Sequence, residues 1–167
     1  MTMKLSPLAV ILGVAGMIPF VFCGLGVLTT PDPNATKWLL ALTAYGAVIL
    51  AFLGGVHWGL ALVDTNDTVI DAPTPGQNRM RLVLGVMPSL LGWFAVLSTL
   101  FLPTNLPLAI VIAGFILTNV VEGRASRAGL LPTSYLWLRW GLTGIVVSVL
   151  SIVFIMRLVG AHVGSIG

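Results

Sequence analysis

Five side chains in this sequence pair a reactive or hydrogen-bonding group with an apolar setting: His57, Ser89, Glu122, Arg139 and Thr143. A neutral imidazole can move protons or hold a ligand, which makes His57 the sharpest candidate. Its plainer reading is a histidine hydrogen-bonded to a neighbouring helix. Glu122 follows Thr118 and Asn119 at one turn's distance and closes an apolar run. A carboxylate at a helix C-terminus opposes the partial negative charge there, so it calls for a cation. Arg139 is the expected partner, with Arg81 and Arg124 as alternatives, and Thr143 lies one turn beyond Arg139. A structural ion pair, a set of solvated helix ends and a working polar site all remain open for this group.

Other chemistries find little support. Ser89 with His57 would supply part of a hydrolase, yet Met87-Pro-Ser-Leu-Leu-Gly92 is not a nucleophile turn, and no oxyanion donor set accompanies it. The second histidine is His162, in the C-terminal tail, so haem ligation by two histidines is not expected. There is no phosphate loop, dinucleotide fingerprint or metal-ligand spacing. Cys23 is the single cysteine, which rules out an intrachain disulfide and reads as a small buried hydrophobe. The expectation is a protein with no catalytic residues, no metal and no obligate cofactor.

The elements that must hold these groups are set by composition. Hydrophobic residues make up 57% of the 167, and charged residues only 8%. Soluble domains carry about a quarter charged residues, so this chain could not coat a water-facing surface. The mean hydropathy of +1.07 agrees. The net charge of +3 could suggest nucleic acid, but the cations cap apolar runs and form no basic patch. They read as topology signals.

About 20 apolar residues cross a bilayer. Apolar runs over 7–28, 38–62, 81–102, 105–122 and 135–158 predict an all-α bundle of five transmembrane helices in one integral membrane domain. The third and fourth share one uncharged stretch, divided by Pro-Thr-Asn-Leu-Pro at 103–107, a tight hairpin. The fourth is the shortest, ending at Glu122. The first begins after Lys4 and is too long for a typical signal-peptide core, so it is read as a retained span. With five spans, Lys4, Arg79, Arg81, Arg124, Arg127 and Arg139 share one side, leaving Lys37 and Arg157 on the other. The positive-inside rule then puts the N-terminus in the cytoplasm and the C-terminus outside. Trp38, Tyr135 and Trp137 stand at span ends, where amphipathic rings favour the interface. Asn34-Ala-Thr36 and Asn66-Asp-Thr68 fit the glycosylation pattern, which is too common by chance to carry weight.

Helices in lipid associate by close packing, so small residues mark their contacts. In the second span Ala47, Ala51, Gly55 and Gly59 recur every four residues, and Gly54 shares a face with His57. This predicts close packing on two sides and a central position. The third span offers Gly85, Ser89 and Gly92. Pro19 and Pro88 are expected to kink the first and third spans and could open a small cleft beside the second. A lipid or quinone could bind there.

Four strings carry a resemblance: Gly16-Met-Ile-Pro-Phe20, Phe52-Leu-Gly-Gly-Val-His-Trp-Gly59, Met87-Pro-Ser-Leu-Leu-Gly-Trp93, and Tyr135-Leu-Trp-Leu-Arg139 continuing to Leu142-Thr143. The pattern resembles the DUF3429 family of unknown function, which includes the mitochondrial transmembrane protein 69 group. The string around His57 is the most specific, and the fourth span matches least well. The resemblance implies a small polytopic protein of bacterial inner membranes and mitochondria, and it makes a link to energy-transducing membranes plausible. The leading expectation is a non-enzymatic accessory or assembly subunit of a larger respiratory or photosynthetic complex. It would sit in the bacterial inner membrane with a membrane-protein partner or in a homo-oligomer, and without nucleic acid. The alternatives are a small carrier or proton-coupled translocator, and a lipid- or quinone-binding protein.

Overall fold

The computed structural model describes residues 7–62, 75–102, 105–127 and 133–164. Lys4, the aspartates of 63–74 and the second glycosylation pattern lie outside the described residues, as do the side chains of Arg127, Tyr135 and His162. Among the described residues six helices follow in order: α1 (Pro7–Ala15), α2 (Ile18–Thr29), α3 (Asn34–Leu62), α4 (Pro75–Phe101), α5 (Leu106–Arg127) and α6 (Thr133–Gly164). Five segments are long and apolar enough to cross a bilayer: Pro7–Thr29, Asn34–Gly59, Asn78–Phe101, Leu106–Arg124 and Trp137–Gly160. Large apolar side chains such as Trp93, Leu100 and Phe101 are exposed around the outside, as the lipid-facing surface of a multi-pass membrane protein requires.

The first span is two helices rather than one kinked helix. It breaks at Gly16–Met17, and Pro19 stands in the first turn of α2, where its missing N–H costs nothing. The Tyr45 hydroxyl donates to the Gly16 carbonyl at the break over 2.8 Å, so an exposed backbone acceptor is satisfied inside the bilayer. Pro88 does lie inside α4. The helices also overrun the apolar runs at their ends. Glu122 does not terminate its helix, because α5 continues to Arg127; a charge ends a hydrophobic run without ending a helix.

α3 touches α2, α4 and α5 and packs more extensively than any other helix among the described residues, which makes it the central one. Its buried positions are Ala35, Leu39, Leu42, Thr43, Gly46, Leu50, Leu53, Gly54 and His57, spaced by three and four, the period of one helix face. α5 buries Leu108, Val111, Phe115, Thr118 and Glu122 in the same rhythm, and α6 buries Arg139, Thr143, Val146, Leu150 and Val153. Phe20 fills the centre, edge-on to Tyr45 with ring centroids 4.9 Å apart and to Phe115 at 6.0 Å.

The small residues divide into two sets. Gly54 lies against the Gly85 carbonyl, and a Cβ on Gly92 would come within 2.9 Å of Ala47. These two pairs hold α3 and α4 backbone to backbone. Ala47 and Gly54 are seven residues apart, as are Gly85 and Gly92, and seven residues bring a helix back to nearly the same face. The expected stripe through Ala47, Ala51, Gly55 and Gly59 does not pack as one. Each step of four advances about 40° around the helix, so the stripe winds outward. Ala51, Gly55 and Gly59 are exposed, and a Cβ at Gly55 or Gly59 would meet nothing within 4 Å. Trp38, expected at the interface, is half-buried and lies over Gly26, edge-on to Phe22.

Candidate functional site

The inward faces of α3, α5 and α6 each run from apolar to polar at the same end of the bundle, and there they converge. Arg139 Nε donates to Glu122 Oε2 at 2.7 Å and Nη2 to Oε1 at 3.2 Å, a two-point guanidinium–carboxylate pair. His57 Nε2 is 3.3 Å from the same Oε1. The exposures of His57, Glu122 and Arg139 are 3%, 1% and 7%, so the cluster is buried. Glu122 is the hub: both its oxygens are engaged, and through it α5 joins α3 to α6. Among the described residues no group of histidine, cysteine or acidic side chains could hold a metal.

The candidate residues therefore divide. His57, Glu122 and Arg139 come together, with Thr143 buried one turn from Arg139. Arg139 supplies the cation, and Arg124 is exposed. Arg139 is consequently not a headgroup marker of topology. Ser89 lies apart, in an outward groove of about 280 Å³ lined by Ala51, Gly55, Trp58, Gly85 and Val86. Thr118 and Thr43 are also buried, but their hydroxyls donate to the carbonyls of Gly114 and Leu39, one turn back in the same helix.

Two cavities flank the cluster. One of about 70 Å³ is lined by His57, Glu122, Thr118, Leu84 and Pro88. Pro88 has no N–H for the Leu84 carbonyl, and both residues border this space. The other, of about 160 Å³, is bordered by Arg139, by the α1–α2 break and by Thr143. Tyr45 was missed by the sequence reading. Its signal was available: a tyrosine in the middle of an apolar span needs a hydroxyl partner, and a glycine–proline break one span away offers one.

The sequence profile of a family described as a protein of unknown function, DUF3429, matches residues 5–155, almost the whole chain. The chain belongs to the DUF3429 family. A curated relative is Transmembrane protein 69 of Xenopus tropicalis, 38% identical over 89 residues, which is 53% of this chain and 32% of that protein. The match thus spans about a third of the relative's length. No solved structure matches the chain. Neither the family description nor the relative's name carries an activity, so the buried cluster of this DUF3429 protein has to be read from its own geometry.

Proposed function

We propose that this DUF3429 protein is a non-enzymatic accessory or assembly subunit that docks, through the outer face of α3 and α4, onto a transmembrane helix of a larger energy-transducing complex in a bacterial inner membrane. The observation that carries this reading is the outward groove where Gly55 stands open beside Ala51 and Ser89, with Gly59 equally open one turn further along α3. Glycine in a helix interior costs about 1 kcal/mol relative to alanine. Gly54 and Gly85 repay that cost inside the chain, whereas a Cβ at Gly55 or Gly59 would touch nothing. Small residues on a lipid-facing helix let a second helix approach closely. The ionisable groups of the membrane interior, by contrast, are turned on one another and hold the bundle together.

The test is native purification in mild detergent with residue-specific crosslinking from Gly55→Cys. The expected result is one specific partner subunit, lost in Gly55→Leu and Gly59→Leu variants that still fold. A chain that runs alone, or crosslinks only to a second copy of itself, overturns the reading. We also propose a cytoplasmic N-terminus. With Arg139 buried, Lys4, Arg79, Arg81, Arg124 and Arg127 remain on one side against Lys37 and Arg157, and the bias still favours that side as cytoplasmic. A cysteine at Arg124 should be closed to impermeant thiol reagents in intact cells. Labelling there, with protection of a cysteine at Lys37, would reverse the orientation.

A further inference from the structure

The cavity of about 160 Å³ beside Arg139 belongs to no contact described so far. Its size is close to that of an apolar cavity of roughly 150 Å³ that admits a benzene ring. Phe20, Phe115 and Val146 form its inner wall, all buried. Gly13 and Gly16 border it from the first span, and a Cβ on Gly13 would run into Leu142, another of its lining residues, at 2.8 Å. Leu12 and Phe52 stand at its edge and are exposed to lipid, which gives an apolar tail a way out.

Polar character is confined to one end. A guanidinium has five N–H donors, and Glu122 takes two from Arg139. Thr143 borders the same end, while the other buried threonines spend their hydroxyls on their own helices. The cavity therefore offers donors and asks for an acceptor. The sign of the charge narrows the class further. Arg139 and Glu122 cancel each other, so a carboxylate or phosphate head would add an uncompensated charge inside the bilayer, which is expensive. A carbonyl head adds none.

We propose that this cavity binds a neutral, ring-sized carbonyl head on an apolar tail, that is, a quinone-type lipid, with a carbonyl oxygen accepting from Arg139 and Thr143 and the tail leaving past Leu12 and Phe52. The site lies on the opposite side of α3 from the groove proposed for docking and stands without it. No electron transfer is implied; the claim is occupancy.

The test is equilibrium binding of decylubiquinone to the purified full chain in detergent, with decylbenzene and palmitate as comparison ligands. The expected result is saturable one-to-one binding of decylubiquinone, with both comparison ligands at least tenfold weaker. Thr143→Val, which keeps the shape and removes the hydroxyl, should weaken decylubiquinone about tenfold, the effect of one lost hydrogen bond at the upper end of its range. Thr143→Ser should restore binding, and Val146→Met, which fills the cavity, should weaken it independently. Thermal melts confirm that each variant is folded. Non-saturable uptake, equal binding of decylbenzene or palmitate, or undiminished affinity in both Thr143→Val and Val146→Met would overturn the proposal.

Discussion

At Glu122 the surrounding protein has to do what water does elsewhere. The carboxylate is 1% exposed, inside a segment fit to span the bilayer. An ion there is tolerated only with a close counter-ion and its remaining lone pairs engaged. Arg139 supplies the counter-ion at 2.7 Å and His57 the further contact at 3.3 Å. Such a pair is weak evidence of net stabilisation, because desolvation offsets most of the attraction. Its consequence is an asymmetry. Removing either partner strands the other charge, while removing both leaves an ordinary apolar contact. These residues were legible in the sequence because an ionisable group in an apolar span stands out against its neighbours. That three of them meet followed from the alternating direction of the helices, which brings one end of α3, α5 and α6 to the same depth. Ser89 shows the limit. It lies nearer the middle of the bundle, level with Ala51, and faces the outward groove with Gly55 and Val86.

At the scale of the helix, neighbouring glycines have opposite duties. Gly54 lies against the backbone of Gly85, whereas Gly55 has open space. Gly54→Ala and Gly85→Ala should each force α3 and α4 apart and destabilise the bundle by about 1–3 kcal/mol, as overpacking does. Gly55→Ala and Gly59→Ala should leave stability unchanged or raise it by up to about 1 kcal/mol through helix propensity. Thermal melts of the four variants in one detergent check this; equal losses in all four would contradict the assigned faces. In sequence Ala47, Ala51, Gly55 and Gly59 look like one stripe because a spacing of four is the familiar motif. The seven-residue pairs Ala47/Gly54 and Gly85/Gly92 hold the contact instead, since they drift less around the helix. In spans apolar on every side, hydrophobicity gives no phase, so the inward face is readable only from its small and polar members.

For the whole molecule, five spans were legible because the length of an apolar run is a direct reading of bilayer thickness. The break at Gly16–Met17 was legible only as a kink at Pro19; that its freed carbonyl is satisfied by the Tyr45 hydroxyl of the next helix is a tertiary fact the sequence does not carry. The bundle is held at its middle by Phe20, Tyr45 and Phe115 and at the other end by Arg157, whose Nε donates to Asn105 at 2.8 Å, tying α6 to the hairpin before α5. At the polar end, Glu122 joins α3, α5 and α6 through a charge pair that neither partner can lose alone. Thermal unfolding of the wild type, Glu122→Leu, Arg139→Met and the double variant, in one detergent, tests it directly. Each single substitution should cost about 3–5 kcal/mol, and the double should recover most of that loss, giving a coupling of at least about 2 kcal/mol. Single variants within about 0.5 kcal/mol of the wild type, with effects that simply add, would contradict it.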